Sequence, residues 1–200
     1  MAPGSLPAGV DPATDVAPGA RTVVLVEGSS DRIALEVLAD RHGRDLAAEG
    51  VAVVPTGGAT ALGAFAARFL DRGLRVAGLY DVGERRVVSR VLARAGVGRD
   101  LDGAALERLG FYACVDDLED ELIRALGPDG VVAVLERQGD LASFRRFQRQ
   151  PAQRDRPVGA QLHRFLGTRS GRKGHYAALL TDAVDLAVVP APLSRLLAAV

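Results

Sequence analysis

Carboxylates recur at one kind of place in this chain. Glu27 follows the apolar run Thr22–Val26, Asp81 follows residues 75–80, and Asp116, Asp117 and Glu119 follow residues 111–115. All three apolar runs read as strands, so the acids sit at strand carboxyl ends. In an open parallel sheet that is the edge where ligands bind. Carboxylates gathered there repel one another unless a cation lies between them. Acids without clustered His or Cys favour a hard, oxygen-preferring ion, Mg²⁺ or Mn²⁺. Asp31, four residues after Glu27, can point back to the same place. Taken singly, each acid is as well explained by a helix N-terminus, where negative charge is favoured. Glu27 fits that explanation less well, because it precedes Gly28. His42, His163 and His175 are scattered, and Cys114 stands alone. A cysteine zinc site and an intramolecular disulfide are therefore excluded. GxxxxGK[ST] is absent.

The elements that would position these acids alternate. The runs 22–26, 51–54, 75–80 and 111–115 are rich in β-branched and aromatic residues. Between them, helical patterns occupy residues 31–41, 60–71 and 84–95, and another runs to residue 126. This alternation predicts a mostly parallel four-stranded sheet covered on both faces. Beyond it the pattern is all helix, over 131–138, 141–148, 158–166, 173–184 and 192–200. The expected organisation is a disordered leader over 1–20, an α/β domain over 21–130 and a helical extension over 131–200. The leader lacks a signal-peptide pattern, and no apolar run reaches the ~20 residues of a membrane span. With one cysteine, a reducing, cytoplasmic location is expected.

The 200 residues carry 25 basic and 25 acidic groups. A uniformly basic nucleic-acid coat is thereby excluded, but the balance is uneven. Residues 1–135 are net −6 and residues 136–175 net +7. The basic stretch holds Arg145, Arg146, Arg149, Arg169 and Arg172, candidates for salt-dependent contacts to nucleic-acid phosphates. It also holds Lys173, the one lysine among 25 basic residues. A compact ammonium suits a site shaped around a single phosphate oxygen better than a guanidinium fork does.

The segments Val26-Glu27-Gly28-Ser29-Ser30-Asp31 and Leu79-Tyr80-Asp81 resemble a TOPRIM domain, a Rossmann-like metal-binding α/β fold. The pair Glu27 and Asp31, the Leu118-Glu119-Asp120 segment and the downstream Lys173 make the chain most similar to the TOPRIM region of the OLD (overcoming lysogenization defect) nucleases. The resemblance spans about residues 22–186. It implies metal-dependent cleavage of phosphodiesters, in DNA before RNA, by one or two Mg²⁺ or Mn²⁺ ions. Glu27 and Asp31 would hold one ion, with Asp81 bridging or holding it. Glu119, with Asp116 or Asp117, would serve a second. Lys173 would stabilise charge on the phosphate, and Glu27, Asp81 and Lys173 would carry catalysis.

Two departures stand out. The usual Asp-x-Asp after the third strand reads Asp81-Val82-Gly83-Glu84, which leaves Glu84 as the replacement acid. The ATPase domain that precedes TOPRIM in OLD nucleases is not seen before the first strand. The expected function is a stand-alone metal-dependent nuclease. The alternatives are a non-catalytic nucleic-acid-binding module and an accessory subunit of a separate ATPase. Homo-oligomers are compatible with each, and a membrane partner is not expected.

Overall fold

The structure is a computed structural model and describes residues 16–168 and 171–200. Strand β1, Thr22–Val26, is buried along its whole length. It lies between β2, Val51–Pro55, and β3, Arg75–Asp81, and β4, Phe111–Cys114, pairs with the far side of β3. All pairs are parallel, in the order β2-β1-β3-β4. The chain goes one way from β1 to β2 and then crosses to β3 on the other side of β1. The carboxyl ends of β1 and β3 therefore flank the topological switch point, where a crevice opens in such sheets.

The two faces of the sheet sort the helices. Val24 and Val26 of β1 point to one core with α1, Ser29–Arg41, and Val23 and Leu25 to the other with α2, Ala59–Asp71. The second face also holds α3, Arg85–Arg94, and α4, Gly103–Arg108. The first face carries α5, Leu118–Arg137, α6, Leu141–Gln148, α7, Val158–Leu166, α8, Arg172–Ala183, and α9, Ala191–Ala199. Neighbouring strands approach closely at Gly78 of β3, where a Cβ would stand 2.4 Å from the Leu25 carbonyl oxygen of β1.

The α/β architecture and the helical region after it agree with the sequence expectation. Several local features differ. Residues 103–108, where no helical pattern was expected, form α4, capped by Asp102 accepting from the Ala105 N–H at 2.7 Å. Six residues are too few to show periodicity. The helices expected to end at 126 and begin at 131 run together as α5, broken at Gly127 (φ 69°) before Pro128. Glu84, taken as the start of the third helix, instead ends a separate 3-10 turn, Val82–Glu84. Of the leader expected over 1–20, residues 1–15 lie outside the described residues, while Val16 is buried in the core beside α2. No helix among the described residues is long and apolar enough to cross a membrane.

Candidate metal centre

Two strand ends and one tight turn build the centre. Glu27 leaves β1 and is exposed, and Asp81 closes β3 and is half-buried. The chain then turns through the 3-10 segment Val82–Glu84. With three residues per turn, positions i and i+3 stack on one side. The turn brings Glu84 back over Asp81, and ligand oxygens of Glu27, Asp81 and Glu84 lie within 4.8 Å of one another. At an effective dielectric of 20, each pair of charges at such a distance costs about 3–4 kcal/mol. The protonation equilibria show this stress. Burial, then the Glu27, Asp117, Glu84 and Asp31 charges, raise Asp81 from 3.8 to about 7. Glu84 is raised by burial and by Glu27. Asp81 and Glu84 thus hold their protons more tightly than free carboxyls do, and a cation among the three acids would relieve the repulsion. Their donors are all oxygen, which fits Mg²⁺ or Mn²⁺.

Asp31 adjoins this triad but is used differently. Its Oδ2 accepts from the Gly28 N–H at 2.7 Å, tying down the start of α1. Gly28, with extended backbone, is the N-cap of α1. Burial outweighs the Gly28 hydrogen bond and raises Asp31 to about 6.

A second group lies at the start of α5. Asp117 caps that helix, its Oδ1 accepting from the Asp120 N–H at 2.9 Å. Its Oδ2 lies 2.7 Å from His163 Nε2 on α7. Burial pushes Asp117 up, but His163 and the Asp120 N–H outweigh it and hold Asp117 below its ordinary range. The same hydrogen bond raises His163. Lys173 Nζ sits 3.0 Å from Glu119 Oε2 and 4.0 Å from Asp117 Oδ2. A cation in the first turn of α8 opposes the helix dipole. The carboxylates it meets offset that cost, and although burial lowers the Lys173 pKa, Glu119 carries it upward overall. Glu119 is buried, and its Oε1 has no hydrogen-bond partner. Asp116 is exposed.

The expected site residues thus separate. Glu27, Asp81 and Glu84 converge, and Asp117, Glu119 and Lys173 form a linked neighbouring group. His163 was not anticipated. Its partner is 46 residues away, and no spacing in the sequence connects them. Of the arginines expected to meet nucleic acid, Arg145, Arg146 and Arg149 are exposed. Arg169 lies outside the described residues. Arg172 is a correction, since it faces inward at 8% exposure. Its guanidinium carbon lies 4.2 Å from the Phe165 ring centroid, Nη1 donates to Thr168 Oγ1 at 2.9 Å, and Nη2 is 3.5 Å from Asp140. An aromatic face and a carboxylate together can hold a guanidinium inside a fold.

Residues 20–82 match the family model of the overcoming lysogenization defect protein-like TOPRIM domain, a stretch that contains β1, β2, β3, Glu27 and Asp81. The fold is similar to the C-terminal region of the Xanthomonas campestris pv. campestris OLD protein, with a TM-score of 0.67 and 23% identity over 90% of this chain and 91% of that one. It is also similar to the C-terminal region of the Burkholderia pseudomallei OLD protein, with a TM-score of 0.64 and 22% identity over 90% and 96%. Among curated proteins no sequence matches significantly. Over residues 20–82 the chain is similar to an OLD-like TOPRIM domain, and its fold is that of the C-terminal regions of OLD proteins.

Proposed function

We propose that this protein is a metal-dependent nuclease that hydrolyses phosphodiesters, with DNA as the first substrate to test. One observation carries the proposal. Glu27, Asp81 and Glu84 place ligand oxygens within 4.8 Å of one another at the switch point of a TOPRIM sheet. These three residues would hold Mg²⁺ or Mn²⁺, with Glu84 in the role of the missing second Asp. A divalent ion there supplies Lewis acidity to phosphoryl oxygens and lowers the pKa of an attacking water.

The chain's own groups do the rest. Asp81 must give up its proton before it can act as a ligand, since its pKa is about 7. Lys173, held by Glu119, presents an ammonium that can neutralise charge on the phosphate. Asp117 and His163 join the start of α5 to α7 and fix the wall behind that lysine. Asp31, Asp117 and Glu119 each already bind a protein donor, which favours one ion held by the triad over two.

The test is nicking of supercoiled plasmid with Mg²⁺ or Mn²⁺. Glu27→Ala and Lys173→Ala should each reduce it by about a hundredfold or more. Absence of cleavage of DNA and RNA, single- and double-stranded, with either metal would overturn the nuclease reading. Retained salt-sensitive binding would then assign a non-catalytic module.

A further inference from the structure

We infer that the outer face of α6 and α7 carries a built binding cup for a backbone phosphate of the nucleic acid, remote from the metal centre. This deepens the nuclease reading and rests on its choice of a nucleic-acid substrate. The cup is a shallow depression of about 650 Å³ lined by Arg145, Gln148, Arg149, Arg154 and Gln161. Its wall holds three guanidiniums and no carboxylate. Among the described residues none of the three has an acidic partner within 4.0 Å. Some exposed arginines elsewhere have an acid beside them, Arg32 with Glu36 at 2.8 Å, Arg124 with Asp120 at 2.7 Å and Arg195 with Glu107 at 2.6 Å.

The cup is pre-organised. Gln161, only 4% exposed, anchors its floor. Gln161 Nε2 donates to the Gln153 carbonyl at 2.8 Å, and Gln161 Oε1 accepts from Gln148 Nε2 at 2.6 Å. Gln148 Oε1 in turn accepts from Arg145 Nη1 at 2.8 Å. This chain of donors orients one edge of Arg145 and leaves its other N–H groups for a ligand. The segment after α6 folds back so that Arg154 Nε donates to the Arg149 carbonyl at 3.0 Å. Gln153 is buried at that bend. Basic residues at the end of α6 suit its dipole. The dipole does not explain Arg154, which arrives from the following loop. Like charges brought together without an acid between them create a focused anion site.

Geometry separates this anion from the one at the metal. Gln161 and His163 lie two residues apart on α7, hence on opposite sides of it. His163 faces Asp117. The cup is therefore about one helix diameter, ~10–12 Å, from the start of α5. At ~3.4 Å per nucleotide in a duplex strand, that is about three steps from a phosphate lying against the start of α5.

The experiment measures fluorescence anisotropy of labelled 15-mer DNA and RNA in EDTA, so binding is read without cleavage. Arg149→Gln/Arg154→Gln removes two contacts from exposed positions, and Arg149→Gln alone serves as a milder variant. Each lost contact releases ~0.7 fewer counterions on a single strand. Between 50 and 200 mM salt the wild type should thus lose about sevenfold more affinity than the double variant. Arg90→Gln, exposed on α3 at the other face of the sheet, should leave binding and its salt slope near wild type. Binding of either nucleic acid with this pattern supports the cup. Unchanged binding in the double variant overturns it, as does an equal loss in Arg90→Gln. So does a wild-type protein that binds poly-glutamate but neither oligonucleotide. Oligonucleotide binding without plasmid cleavage would remove the nuclease reading alone. Cleavage with an unaltered double variant would remove the cup alone.

Discussion

Asp81 shows how a single residue reports on the centre. Its pKa of about 7 arises first from burial and then from Glu27, Asp117, Glu84 and Asp31, and Asp31 itself lies near 6. In the unfolded chain both return to about 3.9. Between those values the folded protein binds more protons, so stability must fall as pH rises from about 4 to about 7 and then level off. His163, raised by Asp117, acts in the same direction, whereas Asp117, already lowered, contributes a constant amount over that window. In EDTA the melting temperature should therefore fall between about pH 5 and pH 8. Asp81→Asn should flatten the decline, and Mn²⁺ should reverse it at the alkaline end. Thermal melts across pH give the answer, and a melting temperature that rises with pH in EDTA would contradict the proposed stress.

At the scale of the element, the 3-10 turn Val82–Glu84 determines which acid joins Asp81. An extended Asp-x-Asp would present its second acid at i+2, but a 3-10 turn presents i+3. Glu84→Ala should weaken Mn²⁺ binding by at least about tenfold, as read by titration calorimetry. Gly83 is exposed, and a Cβ there meets nothing within 4 Å. Gly83→Asp should accordingly be tolerated and should recover part of the affinity in the Glu84→Ala background. Unaltered binding in Glu84→Ala would remove Glu84 from the site. The candidacy of Glu84 was legible because strand ends and turn lengths are local properties. The apolar run of β1 and the position of Asp81 needed no tertiary information either. His163 and Arg172 depended on packing. Asp117 meets a histidine on another helix, and Arg172 meets Phe165 and Asp140 across a bend. Charge density over 136–175 predicted a basic surface but could not say which guanidinium turns inward. The early close of α5's first half was visible in Gly127-Pro128, but its continuation across that break was not.

For the molecule as a whole, the helices after residue 130 are one face of the sandwich. The core that contains Val24, Val26 and Leu79 of the sheet also contains Val131, Phe144, Leu162, Tyr176 and Leu196. Arginines of the α/β part close the ends of the later helices. Arg41 Nη1 donates to the Thr181 and Val184 carbonyls at 2.7 and 2.6 Å, at the end of α8. Arg44 donates to the Leu197 and Val200 carbonyls, and Arg75 to that of Ala199, at the end of α9. Final-turn carbonyls have no partner within their own helix. Removing the α/β part would thus leave them unpaired and strip the apolar face of α8. Residues 21–130 alone would lose the cover over Val24 and Val26, exposing a face that water does not favour. The two stretches should then unfold together, although composition divides them at 130. Calorimetry should show one transition, its van't Hoff and calorimetric enthalpies equal. Its size should be about 130 kcal/mol near 60 °C for roughly 180 described residues. Two separable transitions, or a cooperative melt from a fragment of residues 21–130, would show that the sheet keeps a core of its own. The metal centre would then not depend on the helix that carries Lys173.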